Sequence, residues 1–114
     1  MIEAVFFRTR ERFTGFQASG HSGYADHGSD IVCAAVSVLG CTCVNSLESV
    51  CGVVPMITAN DDGLLAFTLP DTPDERQAHD AQVLMAALRQ GIADIAGQYP
   101  QHVKLSIQER RDKP

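Results

Sequence analysis

The sequence predicts an α+β fold, a two-layer sandwich with the element order ββαββαβ: a five-stranded, largely antiparallel sheet carrying two helices. Three observations predict it. Two long stretches repeat apolar residues at steps of three and four, as helices with one buried face do. Five shorter stretches are rich in β-branched and aromatic residues or alternate apolar with polar ones. Neighbouring strands are separated by only a few turn-forming residues, which favours hairpins over parallel crossovers. The 114 residues, 45% apolar and 20% charged, suffice for a single domain over 1–114 and are few for two cores.

The first strand is read in residues 2–9, where Ile2, Val5, Phe6, Phe7 and Thr9 concentrate. Arg10, Glu11 and Arg12 interrupt it, and a second short strand follows through Phe13, Phe16 and Ala18, completing a hairpin without an Asn-Gly turn signal. Ser19 to Gly28 is polar and holds three glycines, so it reads as a mobile loop. Ser29 or Asp30 offers an N-cap for a helix over about 31–50. Its stripe runs through Val32, Val36, Leu39, Cys43, Leu47 and Val50, and Gly52 is placed to end it. The opposite side is small and weakly polar (Ser37, Gly40, Cys41, Thr42), which predicts a helix enclosed on more than one side.

Strands are expected at 53–59 and 64–69, joined by the hairpin turn Asn60-Asp61-Asp62-Gly63. Pro55 lacks an N–H and belongs at a strand start or a sheet edge. A second helix over 74–98 places Ala81, Leu84, Met85, Leu88, Ile92, Ile95 and Tyr99 on one face. The last strand alternates Val103, Leu105 and Ile107 inward with Lys104, Ser106 and Gln108 outward, and the tail Arg110 to Pro114 is expected to fray. Phe6 with Phe7, Met56 with Ile57 and Leu64 with Leu65 put apolar residues on both faces of the sheet. Two helices cannot cover both, so a homodimer is expected to bury the second face.

Composition excludes several functions. A net charge of −5 argues against a general phosphate-binding surface, so no direct nucleic-acid binding is expected. Residues 31–47 carry no charge, but Ser37, Gly40, Thr42, Asn45 and Ser46 make them too polar for a spanning helix. The N-terminal residues lack the basic and apolar regions of a secretory signal. Cys33, Cys41, Cys43 and Cys51 lie in or beside one helix, where Cys41 and Cys43 would point about 200° apart. They are read as reduced thiols, and the compartment as cytoplasmic.

Cys33 carries the chemical interest. In the first turn of a helix the unpaired N–H groups and the dipole favour a thiolate, which an unperturbed thiol reaches only near pH ~8.5. His21 lies on a loop able to fold back over that helix start, take the thiol proton and return it to a leaving amine. The N–H groups of Cys33 and Ala34 are candidates to hold an oxyanion. These are the parts of a Cys/His acyl-transfer site. Against this, a cysteine in an apolar helix is commonly a small core residue, the reading given to Cys41, Cys43 and Cys51. His27, His79 and His102 read as structural, although His27 lies near the site loop. Structural zinc takes paired ligands of the Cys-x-x-Cys type, and the spacing Cys-x7-Cys-x-Cys-x7-Cys does not supply them. No metal and no cofactor are expected.

The run from Gly20 to Ser37, Gly-His-Ser-Gly-Tyr-Ala-Asp-His-Gly-Ser-Asp-Ile-Val-Cys-Ala-Ala-Val-Ser, closely resembles the signature of the ribosomal-processing cysteine protease family, Prp. That resemblance implies a cytoplasmic, homodimeric cysteine endopeptidase. Such an enzyme removes a short N-terminal extension from large-subunit ribosomal protein number twenty-seven, cutting after a Phe-Phe-like pair. It also implies Cys33 as nucleophile and His21 as base. Asp30 is then helix cap and loop anchor, Ser37 lines the site one turn after Cys33, and the loop bearing Gly20, Gly23 and Gly28 is a flap that orders over bound peptide. Cys41 and Cys43 are not part of that pattern. Two other readings stay open: a non-catalytic ribosome-assembly or protein-binding module, and a thiol-redox or metal-binding protein.

Overall fold

The structure, a computed structural model, describes residues 1–26, 28–61 and 63–111. The elements are β1 (Ile2–Thr9), β2 (Arg12–Ser19), α1 (Ile31–Ser49), β3 (Met56–Asp61), β4 (Leu64–Thr68), α2 (Glu75–Gln98) and β5 (Val103–Glu109), in the predicted order. His27, Asp62 and the last three tail residues, on which parts of the sequence reading fell, lie outside the described residues.

The sheet order is β3-β4-β2-β1-β5. Three pairings are antiparallel, and β5 runs parallel to β1, from Ile2 opposite Val103 to Arg8 opposite Glu109. That parallel pair follows from α2, which carries the chain back across the sheet. Thr9 pairs with Arg12, so the first turn has two central residues, Arg10 at φ 50° and Glu11 at φ 65°. Both are left-handed, the geometry that matches strand twist in a two-residue hairpin, reached here without glycine. The amide and carbonyl of Phe13, beside this turn, are both taken by the Gln82 side chain of α2, at 2.7 and 2.8 Å.

Helices and sheet share one core. Ile2, Ala4, Phe6, Phe16, Ala18 and Phe67 bury against Val32, Val36 and Leu47 of α1 and Met85, Leu88 and Ile92 of α2. Phe16 links the strands, with ring centroids 4.8 Å from Phe6 and 5.9 Å from Phe67. Each of these three buried rings is worth about 1.5–3 kcal/mol of burial. Gly40 lets α1 approach β4, since a Cβ there would stand 2.7 Å from Leu65 Cδ2.

Some boundaries and faces differ from the sequence reading. β3 starts at Met56, because Val53 donates its N–H to Leu47 O at 2.8 Å and thereby closes the end of α1. Pro55 precedes this edge strand, and Gly52 takes the positive φ of 70° that ends the helix. Val50 is 72% exposed and leaves the stripe; Gly40 and Val44 are buried in its place. The far side of α1 is open, with Ser37, Val38, Cys41 and Thr42 exposed. α1 is long and apolar enough by composition to cross a membrane, yet its stripe is packed into the core. On the outer sheet face the Arg110 guanidinium lies 4.0 Å from the centroid of the Phe7 ring.

Candidate active site

The site is built around the start of α1. Asp30 is the N-cap, at φ −84° and ψ 101°, and its Oδ1 accepts from the amides of Val32 at 3.0 Å and Cys33 at 2.9 Å. The other carboxylate oxygen accepts from the Ser22 hydroxyl and, at 3.4 Å, from the Ala25 amide. These donors hold the Asp30 carboxyl well below the usual carboxylate range. The Ser22 hydroxyl contributes most, partial burial works against it, and the Cys33 and Ala25 amides add to the effect. Asp30 is therefore an anion that ties the loop to the helix, as expected of a cap and loop anchor.

One result corrects the sequence reading. The N–H groups of Cys33 and Ala34 were the expected oxyanion donors, but both are engaged. Cys33 donates to the Asp30 carboxylate, and Ala34 donates to the Asp30 carbonyl at 3.1 Å. The cap takes the Cys33 donor, which an uncapped first turn would leave open, and Ala34 makes the first regular i→i−4 bond of the helix. The donor on the Cys33 sulfur comes from the loop: the Ser22 amide lies 3.3 Å from Cys33 Sγ.

Ser22 is 2% exposed, and each of its polar groups is used. Its N–H meets Cys33 Sγ and its Oγ meets Asp30; that Oγ also accepts from the Tyr24 amide at 3.1 Å, and its carbonyl lies 2.8 Å from His102 Nδ1. Tyr24 stands edge-on to Tyr99 at 5.4 Å and to His102 at 5.5 Å. None of this was visible from spacing. His102 looked like an isolated histidine, and only the placement of β5 beside β1 carries it to the loop.

His21 sits on the other flank. Gly20 donates its amide to Gly63 O at 2.8 Å, joining the loop to the β3–β4 hairpin. The imidazole lies against Gly63, where a Cβ would come within 2.8 Å of Nε2. Gly20 itself has φ 91°, and a Cβ there would meet Met1 O at 2.5 Å, so glycine is required. His21 and Cys33 open to one cleft of about 620 Å³. Its lining also includes Gly20, Gly23, Gly28, Asp30, Ala34 and Ser37 from the sequence reading, together with Asn60, Asp61, Leu64 and Leu65, which that reading missed. Cys33 is half-buried and His21 exposed, so both are within reach of a polypeptide.

The remaining thiols divide by burial. Cys43 lies between α1 and α2 with its Sγ 3.9 Å from Met85 Sδ, and burial, helped by nearby Cys51, pushes its thiol up to about 11. Cys51 is raised as well, by burial and then by Asp80. Cys41 is exposed at the cleft, and no two of the four are joined. Among the described residues no group of three or more His, Cys, Asp or Glu side chains converges as metal ligands do.

A thiol at a helix start and an imidazole, sharing an open cleft with a peptide amide on the sulfur, are the equipment of a cysteine protease. The family model for cysteine protease Prp matches residues 1–104, and the chain belongs to that family. A ribosomal processing cysteine protease Prp of Bacillus subtilis is 27% identical over 108 residues, covering 93% of this chain and 96% of the relative. The crystal structure of SMU.848 from Streptococcus mutans superposes with a TM-score of 0.82 at 30% identity, over 96% of each chain. An essential ribosomal processing protease Prp from S. aureus, solved with a covalently linked product peptide, has the same fold. Its TM-score is 0.84 at 24% identity, over 95% of this chain and all of that one.

Proposed function

We propose that this cysteine protease trims the N-terminal extension of large-subunit ribosomal protein number twenty-seven during ribosome maturation, with Cys33 as nucleophile and His21 as base. The observation that carries the reading is the common cleft of Cys33 and His21, with the Ser22 N–H on the sulfur. Cys33 Sγ attacks the scissile carbonyl carbon, forming a C–S bond and a tetrahedral oxyanion. His21, holding the proton taken from the thiol, passes it to the leaving nitrogen as the C–N bond breaks. The shortened protein departs with that new amino group; water then attacks the thioester that holds the extension, with His21 as base, the C–S bond breaks, and the extension leaves as a free acid. As charge passes from the sulfur to the carbonyl oxygen, the Ser22 amide is a candidate donor to that oxyanion.

The acidic chain suits a basic ribosomal substrate, and the leucines 64 and 65 offer the cleft an apolar wall for an aromatic pair. The same reading makes the protein cytoplasmic and a homodimer, the second copy covering the sheet face that holds exposed Met56. Light scattering on the eluting peak reads this directly: twice the 12.3 kDa chain mass supports the dimer and a single mass refutes it. The test of function is incubation with the ribosomal protein bearing a Phe-Phe leader. Cys33→Ala and His21→Ala are expected to abolish cleavage and His27→Ala to retain most of it. Cleavage by Cys33→Ala at the parental rate would remove the nucleophile assignment.

A further inference from the structure

We propose that His102 is a positioning residue for the reaction, holding the Ser22 peptide so that its N–H stays on Cys33 Sγ. The proposal deepens the reading of Cys33 as nucleophile and rests on it. Ser22 O can only accept, so the hydrogen bond of 2.8 Å requires the proton on His102 Nδ1. The Ser22 residue is thus gripped from both ends of its backbone: its carbonyl by His102, its amide by the reactive sulfur.

The grip is anchored in the sheet. The His102 amide donates to Tyr99 O at 2.9 Å, and its carbonyl accepts from the Ile2 amide at 2.9 Å, in the turn that leads from α2 into β5. Tyr24 closes over the ring edge-on and adds an aromatic contact to Tyr99. The described residues 20–26 and 28–30 lie in no helix or strand, so nothing periodic fixes the Ser22 peptide. Without the imidazole, a carbonyl on a residue only 2% exposed loses its partner. The loop is then expected to turn that carbonyl to water, and the amide leaves the sulfur with it. The N–H on Sγ matters because it favours negative charge on sulfur and fixes the direction from which sulfur attacks.

The experiment compares His102→Ala, His102→Phe and His102→Asn in the full chain. Phe keeps a ring for Tyr24 but removes the donor; Asn offers a side-chain N–H near the place of Nδ1. Two readouts are taken: kcat and KM for a Phe-Phe leader peptide, and the rate at which iodoacetamide labels Cys33 at fixed pH, followed by mass of the Cys33 peptide. Ala and Phe are expected to lose about tenfold in kcat and in labelling rate, the scale of one hydrogen bond to a charged group, with KM within about twofold. Asn is expected to restore most of both. Parental labelling and kcat in His102→Phe would overturn the proposal, as would equal losses in all three that follow the fall in melting temperature. Labelling of Cys33 needs no substrate. If Cys33→Ala still cleaves the peptide, the functional reading fails by itself, while the labelling series continues to test His102.

Discussion

Gly63→Ala is the sharpest probe of how His21, the proposed base, is held. Gly63 has φ +77°, where any side chain is strained, and a Cβ there would stand 2.8 Å from His21 Nε2 and 3.0 Å from Cε1. The backbone penalty for alanine in the left-handed region is about 1 kcal/mol, which lowers the melting temperature of a domain this size by about 4 °C. The contact costs more in rate than in stability. Ordinary contact starts at 3.4 Å, so the imidazole must retreat by about 0.6 Å, and a shift of about 1 Å in a reacting group can cost on the order of 10²-fold. A loss of roughly ten- to thirtyfold in kcat is therefore expected, with labelling of Cys33 less affected than cleavage.

The control is Gly52→Ala. Gly52 has a matching φ of +70°, and a Cβ there meets only the end of the Gln77 side chain, at 2.9 Å. It should show the same fall in melting temperature and parental kcat. The assay pairs thermal unfolding by circular dichroism with initial cleavage rates at saturating peptide. If Gly63→Ala cleaves at the parental rate while His21→Ala is inactive, the hairpin does not position the base, and the argument from contact distance is wrong.

Further outcomes follow from the same contacts. The Asp30 carboxyl is held below its usual range, so its contribution to stability is complete above about pH 4, the unfolded value, and is lost as pH falls through the folded value. The melting temperature should drop on acidification below pH 4, and Asp30→Asn should flatten that drop; equal slopes would remove Asp30 as the cause. Native protein at pH 8 should label rapidly at exposed Cys41 but not at Cys43, whose thiol is pushed up to about 11, until urea unfolds the chain. Equal labelling of the two would contradict the core packing. Leu47→Ala empties a fully buried position and should cost about 2–5 kcal/mol in urea titration, with less than about 1 kcal/mol counting against the core described.

Element types were legible because burial imposes a period. The stripe of α2 through Ala81, Met85, Leu88 and Ile92 is buried as its spacing requires, and β5 alternates as read. The end of α1 was harder. Val53, Val54 and Pro55 have strand-like composition, yet the Val53 amide is spent on closing the helix, a tertiary use of a backbone donor that propensity does not encode. Of the candidate site, the Asp30 cap and the first-turn place of Cys33 were legible because both are local features, and His21 shares their cleft because its loop leads into the helix. The oxyanion assignment failed for a local reason too: the residue identified as cap removes the donors assigned to catalysis. Gly63 and His102 were illegible because each reaches the loop only through strand pairing.

The site loop is held at separate points along its length, so part of it can move without disarming the site. The pair Gly20-His21 is held by the β3–β4 hairpin, Ser22 by His102 at the α2–β5 turn, and Ala25 by the Asp30 carboxylate at the start of α1. The imidazole and the donor on sulfur thus hang from opposite ends of the sheet, β3–β4 on one side and β1–β5 on the other. Beyond Ser22, Gly23 and Gly28 have positive φ and nothing within 4 Å of where a Cβ would stand. Rotation about these glycines would let the outer loop admit or cover a peptide while His21 and Ser22 stay held by the β3–β4 and α2–β5 turns. Substitutions at Gly23 or Gly28 should therefore change KM far more than the rate of Cys33 labelling. A parallel loss of both would mean that flap and thiol move as one body.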